Sequence, residues 1–375
     1  MDFELTEEQE LIQEMTRRFL EERCTMGKVR ELLDDPTGFD RDGWREAAEL
    51  GWTGILVPEK YGGGGIGETP IGDLVVIAEE LGRALQPGPF LPTNVVTYAI
   101  AEFGSEEQAE KILPGLASGE QIGTWCFAEP GGRWDTEAIQ LETRPQGYGF
   151  VLQGTKSFVQ DAHVADHLLV AARTAGGLTQ FLVPAGTAGI TVKLMGSVDL
   201  GRRLAEVTFE NVQVSSSSVL GEVDGAADTI ERQLQLALVL QCAETVGVTE
   251  RTLEFTLEYA NARIAFGRPI GSYQALKHRF ADMKMWLEAS AGTATGAAQS
   301  VQAGAPDAAQ LVSVAKAYIG DASVAIIQDC IQMHGGIGQT WENDIHLYLR
   351  RATLNAALFG SPAEHRERLC TLLDV

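Results

Sequence analysis

An arginine and a phenylalanine share one face of a predicted helix in the C-terminal half of the chain. Arg263 and Phe266 are three residues apart, and Gly267 and Pro269 follow them. Residues at this spacing are neighbours on a helix, so a guanidinium can meet a phosphate while the ring packs beside a flat ligand. Gly and Pro predict that the helix ends there. Taken alone, the pattern also fits a surface arginine beside a core phenylalanine.

A second segment, Gln332 to Thr340, carries adjacent glycines between two predicted helices. Gly335 and Gly336 would let backbone N–H groups approach a pyrophosphate, just before a helix whose N-terminus favours anions. A plain turn between helices is the alternative. His334, beside the glycines, is the only histidine that we place near a cofactor, and a structural role is its alternative.

Two further segments, 125–132 and 156–161, stand at predicted strand ends in the middle of the chain. They contain Phe127, Ala128, Phe158 and Gln160. Either segment could also be an ordinary strand end.

The elements that must position these residues follow the order helices, strands, helices. Apolar residues recur at helical spacing from Thr6, a plausible cap, to about Arg30, and Ser105 introduces another helical stretch over 106–116. Short segments rich in β-formers follow at 124–128, 150–152, 167–172, 180–183 and 206–209, and the helical spacing returns from about residue 224. Four long C-terminal helical runs with short joints predict an antiparallel bundle. We therefore expect an α+β fold with three domains: a helical domain over 1–119, a β domain over 120–222 and a helical bundle over 223–375.

Composition limits the function. The formal net charge of −23 repels polyphosphates at long range, which argues against nucleic-acid binding. No stretch reaches the roughly 18 apolar residues of a membrane span, and the N-terminus lacks the features of a signal peptide. The scattered cysteines fit reduced thiols, and neither they nor the histidines show metal-site spacing. We expect a cytoplasmic protein with no metal.

Together these segments resemble the acyl-CoA dehydrogenase family over essentially the whole chain. Residues 58–63 look like the family's Pro-Glu-x-Tyr-Gly-Gly turn, and residues 263–267 look like its Arg-x-x-Phe-Gly motif. The resemblance implies an N-terminal helical domain, a β-barrel-like middle domain and a C-terminal four-helix bundle, with FAD at a subunit interface. It implies that the neighbouring subunit's FAD diphosphate and adenine are held by Arg263, Phe266, Gln274, Gln332 and Gly336, with Gly335 beside them.

The resemblance also implies that the flavin is contacted by Phe127, Ala128, Phe158 and Gln160, and the departures from the family lie on this side. The family's Thr-Glu-Pro becomes 128–130, its Gly-Ser-Asp becomes 133–135 and its Trp-Ile-Thr becomes 158–160, so two hydroxyls are replaced. Gln160 can still donate where Thr would have. Trp134 replaces a serine and adds bulk where an acyl-CoA thioester would pass.

The catalytic base is also missing. Removing an α-proton from a thioester requires a carboxylate within reach. The two positions that carry this glutamate in the family are occupied here by Phe359 and Ala237. Glu244, seven residues after Ala237 and close to the same helix face, is the candidate for a relocated base; a solvated or ion-paired Glu is the alternative.

Three functions follow from these features. The first is FAD-dependent α,β-dehydrogenation of an acyl-CoA in lipid metabolism, with electrons passed to an electron-transfer flavoprotein. Because the FAD site is shared, this chain could be the base-lacking subunit of a heteromeric dimer or tetramer rather than of a homomeric one. The alternatives are a scaffold protein of the same fold that holds no flavin, and a flavin monooxygenase that needs no α-proton base.

Overall fold

The computed structural model describes residues 4–65 and 67–375. Helices open the described chain, strands follow and longer helices close it. The first helices are α1 (Glu7–Arg23), α2 (Met26–Leu33), α3 (Arg41–Glu49), α4 (Pro70–Ala84), α5 (Phe90–Phe103) and α6 (Glu106–Ala117). The last are α7 (Ala227–Ala262), α8 (Gln274–Gln302), α9 (Ala308–His334), α10 (Ile345–Ala357) and α11 (Pro362–Leu372). This order confirms the predicted α+β class; the exact domain boundaries stay a prediction.

The first predicted helix is shorter than the apolar spacing indicated. Thr6 caps α1 through a capping box with Gln9, as expected. The helix was predicted to continue to about Arg30, but it ends at Arg23. Thr25 breaks it because its side chain accepts a hydrogen bond from Lys28 N at 3.3 Å and so starts α2.

The middle of the chain forms one sheet. Its strands are β1 (Gly123–Cys126), β2 (Glu142–Gln146), β3 (Gly149–Gln160), β4 (His167–Arg173), β5 (Leu178–Pro184), β6 (Ile190–Met195), β7 (Leu204–Ser215) and β8 (Val219–Leu220). The strand order is β6-β7-β3-β2-β4-β5-β8, and β1 pairs in parallel with β4, Trp125 opposite Leu169. The strands β2, β6 and β8 were not predicted.

The sheet folds over its own apolar core. Phe150 of β3 and Phe181 of β5 are three strands apart in the sheet order, yet their ring centroids are 5.2 Å apart in an edge-to-face contact. Buried residues from five strands, including Leu152, Val170 and Phe209, complete this cluster. A second and larger core joins the helices to the other side of β1.

The C-terminal helices pack around α9, which contacts α7, α8, α10 and α11. The stretch Ala308–Gln339 is long and apolar enough to cross a membrane by length and composition alone. Its position among these helices accounts for that composition, because a helix surrounded by others is apolar on most faces.

Helices α4 and α7 cross at two glycines. A Cβ on Gly82 would lie 2.0 Å from Glu244 O, and a Cβ on Gly247 would lie 1.9 Å from Glu79 O. Only glycine allows this approach, because any side chain would overlap the facing backbone. The crossing fixes the middle of α7, which carries Glu244.

Candidate functional site

A small cavity lies where β1 and β3 end. It is lined by Leu91, Pro92, Trp125, Phe127, Ala128, Trp134, Ser157, Phe158, Gln160 and Phe359. Ser157 N donates to Ala128 O at 2.9 Å and so joins the two strand ends. The structure therefore brings all four predicted flavin-side residues together, beside the residue at the usual position of the base.

Aromatic rings dominate this cavity. The Trp125 and Phe127 rings stack with centroids 4.6 Å apart and planes 3° apart. The Trp134 ring meets Phe359 edge-on at 5.0 Å and Phe158 at 6.0 Å. Offset and edge-to-face arrangements of this kind are favourable ring geometries. The rings leave a cavity of about 10 Å³.

A buried ion pair fixes the segment that precedes Trp134. Lys156 Nζ donates to Glu129 Oε1 at 2.7 Å and to Phe127 O at 3.0 Å. Burial lowers the pKa of Lys156, and the adjacent Glu129 carboxylate opposes that shift. The pair ties β3 to the loop after β1, so both walls of the cavity move as one unit.

Gln160 connects the cavity to a second polar cluster. Its Oε1 accepts from Arg202 Nη1 at 2.8 Å, and its backbone oxygen accepts from Thr124 Oγ1. Arg202 thus engages the side-chain oxygen, while the amide nitrogen can donate to a ligand.

Glu244 lies at the centre of that cluster and is buried. Arg202 contacts both carboxylate oxygens, Arg351 Nη1 donates to Oε1 at 2.7 Å, and Asn355 Nδ2 donates to Oε2 at 3.1 Å. Burial alone would raise the pKa of Glu244, but the charges of Arg202 and Arg351 outweigh it, so the pKa lies below its usual value. A carboxylate held in this way is a poor proton acceptor, and the geometry assigns Glu244 a structural role rather than that of a base.

The two family positions of the base hold apolar side chains inside the core. Phe359 is buried with a φ of 62°, and Ala237 is buried in α7. Among the described residues that line the cavity, none carries a carboxylate.

The predicted adenine-side residues lie elsewhere, at the end of α7. Arg263 follows α7 and is exposed, and the prediction that it shares a helix face with Phe266 is wrong because α7 ends at Ala262. Phe266 lies at the tip of a small hairpin, β9 (Ile264–Ala265) with β10 (Arg268–Pro269), with a φ of 54° and its side chain 97% exposed. A fully exposed phenylalanine on a left-handed backbone position is uncommon and points to a contact outside the chain.

The segment with Gly335 and Gly336 lies close to this end of α7. The Tyr259 and His334 rings stack with centroids 4.3 Å apart, which joins the end of α7 to the end of α9. Gln332, Gly335 and Gly336 therefore lie at the same end of the bundle as Arg263, and all three are exposed.

His334 has a structural role in this arrangement. It is buried, its Nε2 lies 3.2 Å from Thr256 Oγ1, and burial lowers its pKa.

Gln274 begins α8, and its exposed side chain lies at the helix N-terminus. Tyr273, the N-cap residue, makes no side-chain capping hydrogen bond. The first N–H groups of α8 are thus available to an anion, which the helix dipole also favours. With the Arg263 guanidinium, this donor set fits the diphosphate of FAD. The flavin-side cavity fits less well, because its rings occupy the space and its expected hydroxyls are absent from residues 128 and 160.

No motif or spacing predicted the arginines around Glu244. Arg202 comes from the loop before β7, and Arg351, which also pairs with Asp199, comes from α10. Only the fold brings these segments together. In the part of the chain that the structure describes, no group of three or more His, Cys, Asp or Glu is arranged to hold a metal ion.

Three family models match the chain in sequence order. They are the acyl-CoA dehydrogenase N-terminal domain over residues 6–120, the middle domain over 124–212 and the C-terminal domain over 224–370. The chain is 32% identical to acyl-CoA dehydrogenase IpdE2 of Mycolicibacterium smegmatis, over 97% of this chain and 98% of that protein.

Solved structures agree with these matches. The ChsE4-ChsE5 complex from Mycobacterium tuberculosis contains a chain with a TM-score of 0.90 and 28% identity, covering 100% of this chain and 99% of the other. A structure described as an FAD-dependent dehydrogenase has a TM-score of 0.89 and 29% identity, and each chain is covered completely, at 100%.

Proposed function

This chain belongs to the acyl-CoA dehydrogenase family of FAD-dependent oxidoreductases, and we propose that it is the subunit that completes the FAD site of a different, catalytic subunit. The observation that carries this proposal is the contrast between its two half-sites. The adenine-side residues are retained and exposed, whereas the flavin-side cavity is filled with rings and has no base.

The missing base argues against dehydrogenation within this chain alone. Bound FAD supplies the hydride acceptor of the reaction, but the α-proton must pass to a protein group. Phe359 offers no acceptor at the usual position. Glu244 is buried between Arg202 and Arg351, so it cannot swing toward a substrate without breaking its ion pairs with both buried guanidinium groups.

The adenine-side half-site supports a role toward a neighbour. Arg263 and the N-terminus of α8 offer a cation and N–H donors to a diphosphate. Phe266 projects away from its own chain and could pack against a flat ligand or against the neighbouring subunit. A scaffold protein without flavin has no physical need for this set.

The assembled enzyme would act on an acyl-CoA thioester and pass electrons to an electron-transfer flavoprotein in the cytoplasm. The family supports the substrate class and an oligomeric assembly. The ChsE4-ChsE5 complex, by its name, combines two different chains. All five cysteines are free and four of them are buried, which fits a reducing compartment.

The experiment that tests this role measures FAD in the assembled complex. The chain is co-purified with a family member that carries the glutamate, and bound FAD is quantified for wild type and for Arg263→Ala. We expect the variant to lose most of the FAD while the complex stays assembled. Arg144→Ala, an exposed arginine of β2, is the matched control and should retain the wild-type FAD content. Unchanged FAD in Arg263→Ala would contradict the proposal.

A further inference from the structure

The flavin-side cavity contains an aromatic residue that touches most of its other rings. Trp134 lies with its ring centroid 5.0 Å from Phe359, 6.0 Å from Phe158 and 6.2 Å from Phe127. We infer that Trp134 is a plug that excludes the flavin ring from this chain's own cavity, so that FAD binds only at the site of the catalytic partner. This inference rests on the proposed function and explains how one of two related sites is kept without flavin.

The size of the cavity supports exclusion. About 10 Å³ remains between the rings, which is at the lower limit for a single water molecule. A three-ring flavin would have to displace at least one side chain completely. Trp134 and Phe158 are both partly exposed while Phe127 and Phe359 are buried, and Trp134 has the larger of the two partly exposed rings.

The loop that carries Trp134 is anchored on both sides. Before it, Glu129 accepts from Lys156 Nζ at 2.7 Å and from Leu141 N at 2.8 Å. After it, Asp135 accepts from Ala138 N at 2.8 Å and pairs with Arg133 at 3.0 Å. These contacts hold the backbone on both sides of Trp134.

Two of the rings that contact Trp134 stand on unusual backbone positions. Phe158 and Phe359 both lie in the left-handed region, with φ values of 56° and 62°. The segment of Phe359 is further fixed because Lys316 Nζ donates to Leu358 O at 2.7 Å and His365 Nε2 lies 2.9 Å from Phe359 O. Trp134 therefore packs against Phe158 and Phe359, and the backbone around Phe359 is held by hydrogen bonds.

The test measures binding of riboflavin, which carries the flavin ring without the adenine end. Purified wild-type chain, Trp134→Ser and Trp134→Phe are titrated into riboflavin, and flavin fluorescence is followed. We expect Trp134→Ser to bind at least about tenfold more tightly than wild type. Trp134→Phe keeps a ring in place and should bind as weakly as wild type.

A further variant controls for the case in which Trp134→Ser does not fold. Circular dichroism and the thermal midpoint establish whether Trp134→Ser is folded, and Trp134→Leu replaces it if it is not. If the folded variant binds riboflavin no more tightly than wild type, or if wild type already binds it tightly, the proposal that Trp134 excludes the flavin ring is overturned. Neither result decides the partner role, which the FAD content of Arg263→Ala in the assembled complex tests independently.

Discussion

Arg351 donates from Nη1 to Glu244 Oε1 across 2.7 Å, and both side chains are buried. Arg351 also pairs with Asp199, and Arg202 contacts the other side of Glu244. The pairs join α7, α10 and the loop before β7. This cluster connects the sheet to the helical bundle, and it holds Glu244, the candidate for a relocated base, as a structural anion.

Replacing Glu244 should destabilise the fold strongly. Glu244→Gln leaves two buried guanidinium groups without their shared anion, and breaking a buried pair costs about 3 to 5 kcal/mol. The free energy of unfolding is measured by urea denaturation. The control is Glu258→Gln, whose exposed carboxylate lies 3.8 Å from Arg251 and should contribute less than about 1 kcal/mol. Equal losses for the two variants would show that the cluster does not support the fold.

Asp161 should make stability depend on pH. Burial raises the pKa of this carboxyl to about 6, against the opposing charges of Arg202, His163, Arg203 and Arg351. The folded state then holds its proton more tightly than the unfolded state, whose value is 3.8. This group's contribution is therefore most favourable below pH 3.8 and declines as the pH rises to about 6.

Asp161→Asn removes that decline. Asn tolerates the φ of 53° and carries no charge to bury. We expect the stability of the variant relative to wild type to increase between pH 4 and pH 6 and to level off above it. Chemical denaturation across this range provides the measurement. A difference that is constant with pH would show that Asp161 does not titrate there.

Phe266 should affect the FAD content of the assembled complex and not the stability of the isolated chain. Its side chain is 97% exposed, so Phe266→Ser should change the free energy of unfolding of the isolated chain by less than about 0.5 kcal/mol. In the assembled complex the same change should lower the FAD content. Tyr148→Ser, at an equally exposed turn between β2 and β3, should affect neither quantity. A wild-type FAD content in the complex with Phe266→Ser would show that Phe266 does not contribute to the cofactor site.

Restoring a glutamate at the family position should not restore activity. Phe359→Glu places a carboxyl beside Trp134, in a cavity that the flavin ring does not enter. We expect no bleaching of visible absorbance when acyl-CoA is added to the variant alone, and the same result for Phe359→Gln. Bleaching by Phe359→Glu but not by Phe359→Gln would show that the ring does enter the cavity and that only the base is missing.

Local signals in the sequence predicted the order of helices and strands correctly. Thr6 and Ser105 cap α1 and α6 as expected, because capping depends on residues within one turn. The break at Thr25 was missed, since the apolar spacing continues across it. Strand β2 was missed because it is mostly exposed and polar, and β6 because it has no fully buried residue; only pairing with β3 and β7 makes them strands.

The candidate site was also predictable only in part. Two strand ends carry Phe127, Ala128, Phe158 and Gln160, so the motifs predicted that these residues lie close together. The role of Glu244 was not, because Arg202 and Arg351 lie 42 and 107 residues away along the chain. The aromatic packing of Trp134 on Phe359 likewise depends on the fold and not on spacing.

The most direct test of the account is the visible absorbance spectrum of the chain purified alone, with its flavin-to-chain ratio, before and after a short acyl-CoA and an artificial electron acceptor are added. The account predicts a nearly colourless protein with no bleaching. A full flavin complement that bleaches on addition of the acyl-CoA would contradict it, because the chain would then be a complete dehydrogenase.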